Sequence, residues 1–341
     1  MVWALALAAV IWIVGGRAGW PRQARSLALG LLYVAVLALA ILAPASPLGG
    51  NVGEWLVLGG IGAVVWAYAF GLKLLRRRVR PENRPPELRT DTFAPGEIER
   101  YARHIVLREL GGPGQKRLKT SSILVVGAGG LGSPAMLYLA AAGVGTIGVI
   151  DDDAVEATNL QRQVIHTDAR IGMPKVFSAE AAMKTLNPFV TVRPYHRRLT
   201  AEIAGDLVAD YDLVLDGCDD LDTRYVLNAA CNAARVPLIS GALSQWEGQL
   251  TTYAPWEGTP CYACIFPEKP APGLAPTCAE AGVLGPLPGI LGTMMAAEAV
   301  KELTGAGQGH RGRMAIYDAL WGEHRTIALT RRPDCPVCGG A

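Results

Sequence analysis

The sequence has little net charge and few histidines. Lysine and arginine exceed aspartate and glutamate by only two in 341 residues, so the composition gives no argument for general nucleic-acid binding. The five histidines form no cluster with metal-ligand spacing, and neither an internal repeat nor a low-complexity tract is present. These absences argue against a histidine metal centre and against a repeat protein.

Charge is almost missing from residues 1–75, where three apolar runs occupy residues 1–14, 27–43 and 55–75. A membrane-spanning helix needs roughly 20 apolar residues, or about 17 at the lower limit, so the second and third runs are long enough to span. The first run is open to three interpretations: a partial span, an interfacial helix or a signal-like segment. Buried helices of a soluble domain are the alternative for the whole region.

Basic residues predict how this region is oriented. The connection at residues 44–53 contains no lysine or arginine, whereas arginines precede the second run and follow the third: Arg17, Arg22, Arg25, Arg76, Arg77, Arg78 and Arg80. Under the positive-inside rule the connection lies outside, and the chain after Arg76 lies in the cytoplasm. We therefore expect a multi-pass protein of the inner, cytoplasmic membrane, whose large C-terminal domain lies in the cytoplasm.

A basic, proline-rich stretch separates the apolar region from the rest of the chain. Its polar part holds four prolines, at positions 81, 85, 86 and 95, which is typical of a linker. The sequence thus predicts a transmembrane helical region at 1–75, a linker at 76–95 and one α/β domain at 96–341, which is long enough to bury a full core.

Residues 121–162 contain a strand, a glycine-rich turn and a helix. The apolar run 123–126 is followed by Gly127-x-Gly129-Gly130-x-Gly132, with Ser133 and Pro134 predicted at the N-cap and in the first turn of the helix. A second strand, 146–150, ends in Asp151, Asp152 and Asp153, where an acid that binds a ribose hydroxyl is expected. Glycines and a helix N-terminus favour phosphate, so the ligand is a nucleotide. By itself this pattern fits a dinucleotide-dependent oxidoreductase equally well.

Strands and helices alternate through the remainder of the domain. We predict helices at 97–110, ended by the glycines of 111–114, and at 175–186, 201–209 and 221–234, with strands at 191–195, 211–215, 237–240 and 248–253. This order predicts a doubly wound, mostly parallel Rossmann-like sheet with helices on both faces. The glycine turn, Asp151 and Asp219 are then expected to meet at the carboxyl edge of the strands.

Four of the seven cysteines form two C-x-x-C pairs, Cys261 with Cys264 and Cys335 with Cys338. Two such pairs suit a tetrahedral zinc site without an open position, which would be structural. Redox pairs or free thiols are the alternatives.

The other cysteines stand alone. Cys278 lies in a loop rich in proline, glycine and alanine, where it is either a nucleophile or an ordinary thiol. Cys218 and Cys231 are expected to be small buried residues, and His104 a packing or hydrogen-bonding group.

Nine motifs, in order and at matching spacing over residues 97–340, resemble the HesA/MoeB/ThiF family, the bacterial relatives of ubiquitin-activating enzymes. They are Arg100-Tyr-Ala-Arg103-His-Ile-Val-Leu, Gly127 to Gly132, Asp151 to Asp153, Asn159-Leu-Gln-Arg162-Gln, Gly172-Met-Pro-Lys175, Asp216-Gly-Cys-Asp219, Pro260-Cys-Tyr-Ala-Cys264, Thr277-Cys-Ala-Glu-Ala-Gly282 and Cys335-Pro-Val-Cys338. Residues 1–95 lie outside the usual pattern of the family.

The resemblance implies an ATP-dependent adenylyltransferase. It would join AMP to the C-terminal Gly-Gly carboxylate of a small ubiquitin-like sulfur-carrier protein and release pyrophosphate, using Mg²⁺ and containing structural Zn²⁺. Its implied nucleotide site has glycines 127, 129, 130 and 132 around the nucleotide, Asp151 on the ribose with Asp153 beside it, Asn159, Arg162 and Lys175 on the phosphates, and Asp219 on Mg²⁺.

Two implied roles concern partners. Arg103 would reach into the site of a neighbouring subunit, which makes a homodimer; a solvated helix arginine is the alternative. Cys278 matches a cysteine that is covalently linked to the carrier in some members of the family and dispensable in others.

Two departures and several alternatives accompany the resemblance. Asp220 stands where the pattern commonly has asparagine, and no sulfurtransferase domain follows the second cysteine pair, so we expect sulfur to come from a separate sulfurtransferase.

The alternative substrates are a tRNA base carboxylate, against which the paired cysteines argue, or a peptide carboxylate. An NAD-dependent oxidoreductase or a catalytically silent membrane scaffold are the other possibilities.

Overall fold

The computed structural model describes residues 2–17, 20, 22–43, 51–78, 92–269 and 281–339. The chain divides into two compact units, Met1–Glu87 and Leu88–Ala341. Most of the predicted outer connection, residues 44–50, and most of the predicted linker, residues 79–91, lie outside the described residues. Their assignments therefore stay predictions.

The N-terminal unit consists of the helices α1 (Val2–Arg17), α2 (Arg22–Leu42) and α3 (Val52–Arg78). The hydroxyl of Tyr33 on α2 donates a hydrogen bond of 2.8 Å to the carbonyl of Trp55 on α3. Among the described residues, one segment, Ala24–Leu42, is both long and apolar enough to cross a membrane. The apolar parts found in α1 and α3 are shorter, Ala6–Arg17 and Val52–Val64, so the predicted count of two or three spans is supported for one helix only.

One mixed sheet forms the C-terminal unit, with strand order β3-β2-β1-β4-β5-β6-β7-β8. The strands are β1 (Ser122–Val126), β2 (Thr146–Asp151), β3 (Thr191–His196), β4 (Leu213–Asp216), β5 (Leu238–Leu243), β6 (Glu247–Tyr253), β7 (Arg313–Asp318) and β8 (Glu323–Ala328). The strands β1 to β5 pair in parallel, and β6, β7 and β8 add antiparallel strands. The predicted Rossmann-like half is confirmed, but the sheet is mixed rather than mostly parallel.

Helices cover both faces of the parallel half. The first face packs against α7 (Gly132–Ala142), α8 (Lys175–Leu186) and the long helix α12 (Pro286–Thr304), and the second against α9 (Ala201–Ala209) and α10 (Leu221–Ala234). Strand β1 alternates between the two cores, since Ile123 and Val125 belong to the first and Leu124 and Val126 to the second. This two-residue period explains why residues 123–126 of this central parallel strand are all apolar.

The residues before β1 differ from the prediction. In place of one helix at 97–110, two short turns occur, α4 (Glu97–Arg100) and α5 (Ala102–Ile105). The glycines at 111–114 do not end a helix but begin α6 (Gly111–Thr120). Pro113 lies in the first turn of α6, where its missing N–H costs no helical hydrogen bond. A further short helical turn, α11 (Tyr262–Ile265), begins directly after Cys261 and contains Cys264.

Candidate functional site

Two loops meet at the point where the strand order reverses. The glycine loop, residues 127–131, follows β1, and the acidic loop, residues 217–220, follows the neighbouring strand β4. The N–H of Gly217 donates to the carbonyl of Val126 at 2.9 Å. Gly127 has φ +93°, and a Cβ there would lie 2.8 Å from the carbonyl oxygen of Gly217. The two loops are therefore stacked backbone to backbone, in the crevice where Rossmann-like sheets bind ligands.

The glycines of the loop serve different purposes. A Cβ at Gly132 would lie 2.0 Å from the carbonyl oxygen of Gly127, and one at Gly130 would lie 3.0 Å from Pro288. A Cβ at Gly129 would meet no atom nearer than the amide nitrogen of Gln163, at 3.7 Å. The internal packing therefore requires glycine at 127 and 132, whereas at 129 it leaves room for a ligand to approach the backbone.

The helix after the loop begins earlier than predicted. Its N-cap is Leu131, and Gly132 is its first residue, so Ser133 lies within the first turn and is not the N-cap. The hydroxyl of Ser133 is buried without a hydrogen-bond partner among the described residues. The assignment was wrong because the N-cap preference of serine is local, whereas the start of this helix is determined by the packing of Gly132 against Gly127.

Asp151 links the end of β2 to the glycine loop. Its carboxylate accepts hydrogen bonds from the N–H groups of Ala128, at 2.7 Å, and Asp153, at 2.8 Å. Burial raises the pKa of Asp151, although the charge of Lys175 opposes the shift. A partly buried acceptor is thus fixed beside the glycine loop, as the sequence predicts for a ribose-binding acid.

Two cations lie near the same loop. The Nζ of Lys175 donates to Oδ2 of Asp153 at 2.8 Å, from the first residue of α8. The Nη2 of Arg162 donates to Oδ1 of Asn159 at 3.0 Å, and an added Cβ at Gly130 would lie 3.7 Å from Cγ of Arg162. The three predicted phosphate-binding residues thus lie in two hydrogen-bonded pairs, Arg162 with Asn159, and Lys175 with Asp153, which we predicted to lie beside the ribose acid.

Two buried residues that we did not predict support the glycine loop. The ring of His166 bridges the Ala128 carbonyl, at 2.9 Å from Nε2, and the Ser178 hydroxyl of α8, at 2.9 Å from Nδ1. Burial lowers the pKa of His166, which favours a neutral ring. Gln163 is 4% exposed, and its amide oxygen has no partner among the described residues. The only sequence signal for Gln163 is its place directly after Arg162, and His166 follows three residues later without a signal of its own.

The acidic loop is fixed by buried polar contacts. Asp216 at the end of β4 pairs with Arg224 at 3.0 Å, and both side chains are almost fully buried. Asp219 is exposed at the tip of this loop. Asp220 accepts from Arg198 at 2.9 Å and caps α10 at the N–H of Thr223. Burial raises the pKa of Asp220, but the hydrogen bonds from Thr223 and Arg198 outweigh burial and lower this pKa. The negative charge that Asp220 adds, where the family pattern commonly has asparagine, is therefore paired with Arg198.

The two C-x-x-C pairs come together as one cluster. The sulfurs of Cys261, Cys264, Cys335 and Cys338 lie within 4.8 Å of one another, and three of the separations are 3.9, 3.6 and 3.4 Å. Four thiolates at about 2.3 Å from a tetrahedral zinc ion are about 3.8 Å apart, so the donor set fits zinc. Burial raises the pKa of Cys335, but the backbone N–H groups of Cys338 and Val337 outweigh it and lower the pKa to about 7.

Residues 101–337 match the ThiF family. This chain belongs to the ThiF family. It is 49% identical over 243 residues to the SAMP-activating enzyme E1 of Haloferax volcanii, which covers 71% of this chain and 89% of that protein. It is 47% identical over 247 residues to the sulfur carrier protein adenylyltransferase of Thermus thermophilus, which covers 71% of this chain and 91% of that protein.

The fold is also that of solved structures. E. coli MccB crystallised with ATP superposes with a TM-score of 0.62 at 22% identity, covering 72% of this chain and 76% of that one. PaaA gives a TM-score of 0.61 at 22% identity, covering 77% and 81%. With the family match and the two half-identical relatives, the chain is an ATP-dependent adenylyltransferase.

Several predicted residues of this ThiF protein lie away from the two loops. Arg103 is exposed on α5, two residues after Tyr101, whose hydroxyl accepts from Asn187 at 2.8 Å. Cys231 is buried, as expected for a small packed residue, whereas Cys218 is only half-buried and lies within the acidic loop. The Nδ1 of His104 lies 3.2 Å from the Gln115 amide oxygen, in accordance with a hydrogen-bonding role. Cys278 lies outside the described residues, so its covalent role stays a prediction.

Proposed function

We propose that this ThiF protein adenylates the C-terminal Gly-Gly carboxylate of a small ubiquitin-like sulfur-carrier protein. The observation that carries the proposal is the placement of Arg162 and Lys175 beside a glycine loop that is open at Gly129. A hydride-transfer site has no need of these two cations, whereas attack of a carboxylate on the α-phosphate of ATP requires positive charge around the phosphates. Relatives named for SAMP and for a sulfur carrier support the substrate class.

Each site residue has a specific task in this proposal. The loop containing Gly129 holds the phosphates through its N–H groups, and Asp151 accepts a hydrogen bond from the ribose. Lys175 exchanges its bond with Asp153 for one with a phosphate oxygen. Arg162, oriented by Asn159, lies on the same phosphates and stabilises the charge that develops as pyrophosphate leaves.

The chain's residues fit both implied metals. Asp219 presents an exposed carboxylate at the carboxyl end of β4, and Mg²⁺ takes oxygen ligands. When bound with ATP, Mg²⁺ neutralises phosphate charge. The four cysteines around Cys261 would hold a structural Zn²⁺ that ties the C-terminal residues to the body of the domain, since they leave no open position for catalysis.

The proposed assembly is a homodimer in which Arg103 completes the partner's site. Its support is that the turn carrying Arg103 is anchored at Tyr101. The ring of Tyr101 packs so closely on Gly143 that a Cβ there would lie 2.4 Å from the ring, and the Tyr101 hydroxyl accepts a hydrogen bond from Asn187. An exposed arginine on a fixed turn can act outside its own subunit. The sulfur for the activated carrier is proposed to come from a separate sulfurtransferase.

The proposed location is the inner membrane, with the catalytic domain in the cytoplasm. Its support is the apolar segment Ala24–Leu42 and the arginines that follow the third apolar run. Membrane fractionation of cells that produce the full chain, with protease applied from the outer side, tests this location. The C-terminal unit is expected to stay with the membrane and to resist the protease.

Pyrophosphate exchange into ATP tests the proposed reaction. The full-length chain in detergent is supplied with Mg²⁺ and small ubiquitin-like proteins that end in a free Gly-Gly. Exchange is expected only with such a carrier, and not with the same carrier ending in an amide. Exchange that instead requires a tRNA or an unrelated peptide would identify the alternative substrates, and absence of exchange with every carrier would refute the proposal.

A further inference from the structure

Arg224 lies beneath the acidic loop and contacts three segments of the chain. Its Nη1 donates to Oδ2 of Asp216, at 3.0 Å, and to the hydroxyl of Ser240, at 3.1 Å. Its Nη2 donates to the carbonyls of Cys218, at 2.5 Å, and Gly241, at 2.8 Å. One guanidinium therefore joins the end of β4, the acidic loop and β5, a geometry that suits its planar fork of donors.

The same network holds the residue before Asp219 from both sides. The carbonyl of Cys218 is bound by Arg224, while its N–H and its thiol donate to Oδ1 of Asp216, at 3.2 and 2.9 Å. On the other side of Asp219, Asp220 is fixed by Thr223 and Arg198.

Asp219 is thus the exposed member of a loop whose neighbouring residues are held. A buried guanidinium–carboxylate pair is expensive to desolvate and is seldom more stabilising than apolar packing of the same volume. The Arg224–Asp216 pair holds the residue before a proposed metal ligand, so a second purpose for the pair would be to orient that ligand. Residues that orient metal ligands affect metal affinity.

We propose that Arg224 is a positioning residue for the nucleotide's Mg²⁺: it fixes the backbone on which Asp219 presents its carboxylate. This inference rests on the proposed function, in which Asp219 is the Mg²⁺ ligand. Arg224 itself contacts neither metal nor nucleotide in this proposal. It acts through Cys218 and Asp216.

Binding of Mn²⁺, an electron-spin-resonance probe for the Mg²⁺ position, tests this role without turnover. The full chain in detergent, saturated with a non-hydrolysable ATP analogue, is titrated with Mn²⁺ as wild type, Arg224→Lys, Asp219→Asn and the double variant. Lysine keeps the charge but cannot reach all four acceptors. We expect Arg224→Lys to weaken the Mn²⁺ affinity about 10-fold or more, the range typical of groups that orient metal ligands.

The double variant separates positioning from a general structural effect. If Arg224 acts through Asp219, Arg224→Lys adds nothing to the loss that Asp219→Asn already causes. Glu298→Gln is the matched control, because Glu298 is a buried carboxylate paired with Lys301 on α12. It contacts Thr252 near the end of β6, at the sheet edge opposite the two loops. It is expected to lower the thermal midpoint while leaving the Mn²⁺ affinity unchanged.

Ser240→Ala provides a milder version of the same experiment, for use if Arg224→Lys does not fold. It removes one acceptor from Arg224 and one donor to Asp216, and a smaller but measurable loss of Mn²⁺ affinity is expected. Unchanged Mn²⁺ affinity in the folded Arg224 or Ser240 variant, or a loss that adds to that of Asp219→Asn, would overturn the inference. Failure of the proposed function has a different signature, absence of pyrophosphate exchange by the wild type with every Gly-Gly carrier.

Discussion

The Nζ of Lys175 lies 2.8 Å from Oδ2 of Asp153, and the two side chains differ sharply in exposure, at 6% and 67%. The lysine is held inside the site by an acid at its rim. In the proposed reaction, a phosphate oxygen and the Asp153 carboxylate draw on the charge of the same ammonium. The pair therefore lies where we propose that the triphosphate binds.

This pair predicts opposite effects for its two members. Lys175→Met removes the cation that neutralises the phosphates, and we expect pyrophosphate exchange to fall at least about 100-fold. Asp153→Asn removes the competing acid, so ATP should bind slightly more tightly, by less than about 10-fold, because Asp153 is exposed and water screens its charge. Nucleotide titration and exchange rates of the two variants provide the measurement. Weaker ATP binding by Asp153→Asn would show that Asp153 itself binds the nucleotide or its metal.

The proposed action of Arg103 across the dimer predicts complementation. Arg103→Ala and Lys175→Met are each expected to be inactive alone, but a mixed dimer has one complete site, with Lys175 from the first chain and Arg103 from the second. Equal co-expression should restore about a quarter of the wild-type exchange rate, since half the dimers are mixed and each has one of two sites intact. Lys184→Ala in place of Arg103→Ala is a surface control. Absence of recovery in isolated mixed dimers would place Arg103 in its own subunit's site or outside catalysis.

The cysteine cluster predicts one zinc ion per chain. Elemental analysis of the purified protein should find it, and Cys335→Ser should lose it together with several kcal/mol of stability, about 3 or more, because metal binding contributes folding free energy. Exchange activity at low temperature is expected to survive in the folded fraction, since the ion has no open position. Cys231→Ser, a buried cysteine outside the cluster, is the control that should retain the metal. A fully metal-free wild type with redox-dependent mobility would favour disulfide chemistry.

Glu298 predicts a pH-dependent contribution to stability. Burial opposes its ionisation, but His310 and Lys301 outweigh burial and lower its pKa from 4.5 to about 2. Since the folded pKa is depressed, the contribution is fully present above pH 4.5 and is lost as the pH falls toward 2; the shift corresponds to roughly 3 kcal/mol. Urea unfolding of the wild type and Glu298→Gln should show a difference at pH 7 that shrinks toward pH 3. A difference independent of pH would contradict the role of this carboxylate.

Much of the parallel half of the fold follows from the sequence because its signals are local. The helices at 175–186, 201–209 and 221–234 have the bounds we predicted, since apolar spacing and neighbouring strands agree there. The start of α6 was wrong because glycine and proline usually interrupt helices, whereas Pro113 here lies in a first turn. Strands β7 and β8 were not predicted; the side chains of β8 are all exposed, so it has no buried face to give an alternating pattern.

The charged residues of the candidate site were named from the sequence, but the residues that support them were not. Lys175, Arg162 and Asp151 stand in motifs whose chemistry can be recognised in the sequence. His166 and Arg224 are buried, and their partners are carbonyls and side chains from distant parts of the chain, such as Ala128 and Gly241. No local pattern specifies contacts of that kind, because they depend on how the strands are ordered.

The central claim is that the chain adenylates the C-terminal carboxylate of a carrier protein. The most direct test measures the mass of such a carrier after incubation with the full chain, ATP and Mg²⁺. With inorganic pyrophosphatase present, intact mass spectrometry should find an adenylyl group on the carrier's C-terminal glycine, formed by the wild type and Glu298→Gln but not by Lys175→Met. The same carrier shortened by its last glycine, or ending in an amide, should remain unmodified. Consumption of ATP to AMP with every carrier left unmodified, or an adenylyl group on an internal side chain, would contradict the account.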